Sequence, residues 1–260
     1  MSHDTATRVA VDELTASIVD ALGTGLRSVL LHGSLATGDF RPGRSDVDVL
    51  AVVTDGLTDR QAEALEELVR HARLGDATGM DLHVVTADVA ATPTRTPPLE
   101  LHVGRYDHTS VGVEVARRVP ADPDLPAELS TARAHGRLRY GAGAGEVLGP
   151  VPPGWLHERG RHWLTTWRSL TDDVENATFM VFTAARIWRF AVEGTHCGKT
   201  RAAHWALARD PSLTVLREAL HRDEVDPAAP VGEEGMLRLF DTVLRQTAVA
   251  PVGGAAVRAG

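Results

Sequence analysis

The chain has 260 residues, with 27 Lys and Arg against 35 Asp and Glu, a formal charge of -8, 43% hydrophobic residues and 24% charged residues. This suits a soluble globular protein of one large or two small domains and excludes a disordered, collagen-like or disulfide-scaffold chain. The single cysteine, Cys197, excludes an intrachain disulfide. No apolar run approaches the roughly 18 residues of a membrane span, and the first residues lack the basic and apolar stretches of a signal peptide, so a cytoplasmic protein without membrane contact is expected.

In chain order, residues 7–24 carry apolar positions at helical spacing and predict a helix. Residues 28–32 (SVLLH) predict a short buried strand, and the turn-rich GSLATGDFRPGRS follows. Residues 47–53 (VDVLAVV) predict a second strand, 57–73 an amphipathic helix, and 80–86 (MDLHVVT) a third strand. The order α-β-β-α-β implies a small mixed sheet covered by helices. The middle reads as less regular, with proline-rich loops at 92–98 and 120–126. The glycine-rich run at 141–154 is the strongest break. It divides the expected architecture into an α+β domain over residues 1–149 and an all-α helical bundle over residues 150–260. Helices are expected over 155–170, over 172–193 up to Gly194, near 200–208 and 212–222, and over 233–247, with a frayed tail from 251.

The charge pattern limits the partners. No basic stripe is present, so nothing suggests a nucleic-acid backbone as ligand, and the acidic balance suits a cationic small molecule. Of the 27 basic residues only Lys199 is a lysine. Arginine bias in composition explains the other residues but leaves a reason for Lys199 open; a compact ammonium meets phosphate differently from a planar guanidinium.

The segment richest in chemistry is Gly33-Ser34, an eleven-residue spacer, then Asp46-Val47-Asp48. Aspartates two apart on a strand project to the same face. Carboxylates there, beside a Gly-Ser turn, make a site for a hard divalent cation that keeps substrate phosphates in its shell. The glycine admits backbone amides close to a phosphate, and Ser34 offers a hydroxyl. Asp81 enters on the third strand. With that strand beside the second, three carboxylates converge, a layout for two-metal phosphoryl or nucleotidyl transfer. A lone D-x-D usually marks only a strand edge or a turn; the combined pattern is far more specific.

These residues resemble the polymerase-β-like nucleotidyltransferase superfamily, whose signature is carried by LHGSLATGDFRPGRSDVDVLAVV. Downstream, PPLELHVGRYD (97–107) and FTAARIWRFAVEGTHCGKTRAAHWAL (182–207) look like segments of the aminoglycoside adenylyltransferases that modify streptomycin and spectinomycin. The resemblance implies transfer of AMP from ATP to a drug hydroxyl, two Mg²⁺ ions, and antibiotic resistance. By resemblance, Asp46 and Asp48 ligate Mg²⁺, and Gly33, Ser34 and Ser45 hold the triphosphate. Asp81 stands where the family has a glutamate serving as general base, and it acts as base or as a further metal ligand. Arg186 and Lys199 fall on the family's nucleotide-phosphate contacts. Tyr106, Trp167, Asp172 and Asn176 fall on its acceptor contacts.

Two of these depart from the family: Tyr106 replaces a tryptophan and Asn176 an aspartate. Each change removes something specific, stacking area in one case and a negative charge in the other. On a continuous helix, Asp172, Asn176, Thr183 and Arg186 share one narrow face, and Asp172 to Arg186 spans roughly 21 Å. Drug at the start and nucleotide towards the end is the arrangement expected. The histidines read as surface or structural residues. A monomer is expected. The rival readings keep the chemistry on a different small-molecule or protein acceptor, or make the chain a nucleotide-binding module without turnover. The last would show a broken carboxylate set, and Asp46, Asp48 and Asp81 are all present.

Overall fold

The structure is a computed structural model and describes residues 3–106 and 112–248. Its elements run in the order α1 (His3–Leu22), a 3₁₀ turn (Gly23–Gly25), β1 (Leu26–His32), α2 (Gly33–Thr37), β2 (Val47–Val53), α3 (Asp59–His71), β3 (Gly79–Thr86), α4 (Ala87–Ala91), β4 (Leu99–Tyr106), β5 (Gly112–Val119), α5 (Leu125–His135), β6 (Arg137–Gly141), α6 (Ala144–Val147), α7 (Pro153–Trp167), α8 (Ala177–Glu193), α9 (Lys199–Arg209), α10 (Val215–Glu224) and α11 (Glu233–Gln246). The expected tail from residue 251, and Asp107 of the PPLELHVGRYD segment, lie outside the described residues. No helix among the described residues is long and apolar enough to cross a membrane.

The chain forms two compact units. The first runs to Arg159 and includes His196–Gly198; the second comprises Gly160–Thr195 and the chain from Lys199. The first is built on a six-stranded sheet in the order β5-β4-β3-β2-β1-β6. β2 and β3 are parallel, joined by the α3 crossover, and the other neighbours are antiparallel. α3 starts where its sequence dictates. The Thr58 hydroxyl accepts the Gln61 amide, and the Gln61 side chain accepts the Thr58 amide.

Both faces of the sheet are covered, which explains why β1 and β2 read as near-continuous apolar runs. Val29, Leu31, Val49, Ala51, Leu82 and Val84 pack with Val11, Leu14 and Ile18 of α1 and Leu65 and Val69 of α3. Leu30, Leu50, Val52 and Val85 face the other way, against Leu125, Leu129 and Ala132 of α5. The strands expected at 28–32, 47–53 and 80–86 are β1, β2 and β3.

The middle is more regular than its sequence suggests, since β4, β5, α5 and β6 all fall there. The glycine-rich run at 141–154 is also folded. Gly141 pairs with Ser28, α6 follows, and Leu148 is buried beside Leu30 and Leu50.

The second unit is helical. α8 packs against α9, α10 and α11. Ala202, Ala203 and Ala206 line the buried side of α9, where small side chains bring the helices close. Gly160 of α7 does the same against α8, since a Cβ there would lie 2.9 Å from Ile187. α8 is shorter than expected. The Asp173 carboxylate accepts the Asn176 amide, closing a turn that competes with helix, so Asp172 lies in the loop before α8 and Asn176 is its N-cap. The continuous face from Asp172 to Arg186 is therefore not formed.

Candidate active site

Strand register brings the carboxylates together. Asp48 is opposite Asp81 on the parallel pair β2–β3 and opposite His32 on β1. Partners in register project to one face, and Asp46 stands two residues before Asp48. Asp46, Asp48 and Asp81 are half-buried, and each offers an oxygen within 4.8 Å of the others. Gly33 adopts φ +62°, and a Cβ there would lie 1.7 Å from Asp48 Oδ2. The backbone of the β1–α2 turn thus lies directly on the carboxylate. Ser34 Oγ is buried and meets no hydrogen-bond partner. Three carboxylate oxygens beside a close-lying glycine and an unsatisfied hydroxyl fit a hard divalent cation such as Mg²⁺ carrying phosphate oxygens. Ser45 is placed differently. It is 3% exposed, and its hydroxyl accepts the Arg41 amide while its carbonyl accepts the Thr78 amide. Ser45 therefore shapes the turn that delivers Asp46.

Asp81 is held by residues of β4. His102 Nε2 donates to Asp81 Oδ1 at 2.8 Å, and the Tyr106 hydroxyl donates to the same oxygen at 2.6 Å. Burial alone would raise the Asp81 pKa, but these two hydrogen bonds, with the charges of His102 and His83, together outweigh it and hold the carboxyl below its usual range. The same contacts act in reverse on the donors. Burial and the Asp81 charge push the Tyr106 phenol up, so it stays protonated. Burial lowers the His102 pKa, and the Asp81 hydrogen bond and charge more than restore it, leaving it raised. His83, the register partner of His102, stacks on it with ring centroids 4.5 Å apart. Burial, then the neighbouring His102, pushes His83 down to about 4. His32 is also lowered, by burial, although Glu128 of α5 lies 3.7 Å away.

The histidines read as bystanders thus include a direct partner of Asp81. The signal was present in the period-two spacing of His102, Gly104 and Tyr106, which puts all three on one face of β4, but it depends on β4 being a strand next to β3. Tyr106, expected as an acceptor contact, spends its hydroxyl on Asp81.

In the second unit, Arg186 is exposed and donates to Thr183 Oγ1, one turn earlier on α8, at 2.8 Å. Lys199 opens α9; its Nζ donates to Asp223 Oδ1 at 2.9 Å and lies 5.7 Å from the Phe182 ring centroid. Asp172 and Asn176 are exposed. The Asn176 amide group donates to Asp173 Oδ2 at 2.8 Å, and this bond leads the lowering of the Asp173 pKa. Trp167 is 6% exposed and packs among Trp163, Phe179 and Phe240.

Residues 15–93 match the family of nucleotidyltransferase domains, and residues 146–223 match the aminoglycoside adenylyltransferase C-terminal domain. The chain is 32% identical over 208 residues to an aminoglycoside (3'') (9) adenylyltransferase of Klebsiella pneumoniae, covering 78% of this chain and 79% of that one. It is 30% identical over 193 residues to one of Rhizobium radiobacter, covering 72% and 71%. Among solved structures, its fold is similar to that of spectinomycin adenyltransferase from Enterococcus faecialis, crystallised with ATP and spectinomycin. The TM-score is 0.67 and the identity 15%, over 93% of this chain and 99% of that one.

Proposed function

The chain belongs to the aminoglycoside (3'') (9) adenylyltransferase family, and from this we propose that it transfers AMP from ATP to a hydroxyl of streptomycin or spectinomycin and so confers resistance. The observation that carries the reading is the convergence of Asp46, Asp48 and Asp81 within 4.8 Å. The acceptor oxygen attacks the α-phosphorus, the bond to the bridging oxygen breaks, and pyrophosphate leaves. Asp46 and Asp48 hold Mg²⁺, with Asp81 as a further ligand or as the acceptor of the hydroxyl proton. When bound, the metal neutralises charge on the transferring phosphoryl group and the leaving group. Gly33 and Ser34 offer the triphosphate a close backbone and an unpaired hydroxyl. By likeness to the family, Arg186 and Lys199 are the residues assigned to the phosphates and the exposed Asp172 the one assigned to a cationic group of the drug.

A second reading keeps the reaction and changes the acceptor. It is favoured by two acceptor-side residues that are otherwise engaged: Tyr106 on Asp81, and Trp167 in an aromatic core. Pyrophosphate release from ATP and Mg²⁺ tests both readings, with streptomycin, spectinomycin, kanamycin or no acceptor, for wild type and Asp48→Asn. Release that needs streptomycin or spectinomycin and disappears in the variant supports the first reading. ATP binding without release for either drug overturns it and turns the search to other hydroxyl acceptors.

A further inference from the structure

Gly104 is the register partner of Asp81 on the antiparallel pair β3–β4. A side chain at this position would stand directly beside the carboxylate. Instead, the two residues that flank it on the same face, His102 and Tyr106, reach across diagonally. Tyr106 lies over the space that the glycine leaves. A Cβ on Gly104 would be 2.4 Å from its hydroxyl and 2.7 Å from its ring. Both donors end on the same atom, Asp81 Oδ1, at 2.8 Å and 2.6 Å. A carboxylate oxygen has two lone-pair sites, and two donors arriving from opposite sides fix the rotation of the carboxyl group. His102 is itself backed by the ring of His83, stacked on it at an interplanar angle of 26°. The carboxylate is thus oriented from β4, and its second oxygen is aimed by default.

We propose that His102 and Tyr106 are positioning residues that fix the Asp81 carboxylate for AMP transfer, and that Gly104 is glycine because the clamp needs the space. The inference rests on the reading of Asp81 as part of the transfer site. It gives Tyr106 a task in the reaction that its ring alone would not perform, and it assigns a role to His102 and Gly104.

The test uses the full chain with ATP, Mg²⁺ and streptomycin, comparing wild type with His102→Leu, His102→Gln, Tyr106→Phe, Tyr106→Trp and Gly104→Ala. Misplacing a catalytic group slightly is costly, so His102→Leu, Tyr106→Phe and Gly104→Ala each lower kcat by about tenfold or more, with KM for ATP within about twofold. His102→Gln, which still carries an N–H donor, recovers most of the loss. Tyr106→Trp, which keeps an aromatic ring but moves the donor, does not. Wild-type kcat in His102→Leu and Tyr106→Phe overturns the proposal. So does a loss seen only in KM for the drug, the signature of ring stacking, or a His102→Gln no better than His102→Leu.

A second readout does not depend on the acceptor. In a side-chain ¹H–¹⁵N spectrum of the histidines, the His102 Nε2 signal shifts in Asp81→Asn and in Tyr106→Phe. An unmoved signal overturns the clamp. A wild type that transfers AMP to neither drug, yet shows the shift, overturns the acceptor assignment and supports the clamp.

Discussion

Gly33 and Asp48 interlock. The Asp48 carboxylate oxygen occupies the place where a side chain at residue 33 would begin, 1.7 Å from an ideal Cβ. The glycine also holds φ +62°, in the left-handed region that L side chains avoid. Gly33→Ala therefore has two separable effects. The backbone strain costs about 1–2 kcal/mol of stability. The added methyl evicts Asp48 from its position, which lowers turnover by about a hundredfold or more. Thermal unfolding and pyrophosphate release on the same preparation check this, with a folded but inactive variant as the expected result.

Removing the metal should expose the repulsion among the three carboxylates. Like charges this close raise one another's free energy in the ionised form. In EDTA, Asp48→Asn unfolds at a higher temperature than wild type, and relief worth about 1 kcal/mol moves Tm by about 2–4 °C in a unit of this size. With Mg²⁺ the order reverses. Wild type gains about 1.4 kcal/mol when Mg²⁺ stands at ten times its Kd, while the variant gains almost nothing. Thermal scans of both proteins in EDTA and across a Mg²⁺ titration measure this crossing.

Much of this site could be read directly from the chain, because it depends on local patterns. Asp46-Val47-Asp48 lies on an unmistakable β-branched run, and Asp81 enters at the start of the next one. What could not be read was non-local. His102 and Tyr106 meet Asp81 only because β4 is the antiparallel neighbour of β3; the alternation of Leu99, Leu101 and Val103 marks a strand but does not say which strand it pairs with. α8 was overextended for a local reason. Asp172 to Asn176 fit helical spacing, but the Asp173 carboxylate accepts the Asn176 amide in a turn, and the helix starts only at Ala177. Trp167 shows a third limit: a tryptophan on an amphipathic helix has the same sequence signature whether it faces a ligand or a core.

Acidification should destabilise the fold through His83. Its folded pKa is about 4 against an ordinary 6.5. The unfolded chain therefore takes up this proton first, and stability falls as pH drops from about 6.5 towards 4. Above that interval the His83 contribution is constant. The lowered His32 acts in the same direction, whereas Asp81, lowered from an ordinary 3.8, adds its loss only below this interval. His102, raised, opposes them by stabilising the fold on the acid side of its titration. His83→Leu should flatten the curve between pH 6.5 and 4, because it removes the proton uptake of one buried ring. Chemical unfolding of both proteins at several pH values gives the two slopes, and the slope is the quantity to compare, since the substitution also removes the stack on His102. Parallel slopes would contradict the prediction.

Trp167 offers a clean separation of packing from ligand contact. Its ring is 5.6 Å from Trp163 in a stacked pair, with Phe179 and Phe240 at 5.9 and 6.2 Å, and it is 6% exposed. Truncating such a side chain removes both its apolar burial and the contacts of its neighbours, so Trp167→Ala costs about 3–5 kcal/mol. Trp167→Phe keeps an aromatic ring in the cluster and loses far less. If the ring served mainly as a platform for the acceptor, the smaller phenyl would raise KM for the drug while stability barely changed. Packing predicts the opposite pattern: unfolding midpoints ordered wild type, Phe, then Ala, with KM for streptomycin unchanged in the folded Phe variant. Midpoints and KM measured together for the three proteins decide between them, and an elevated KM at wild-type stability would return Trp167 to the acceptor side.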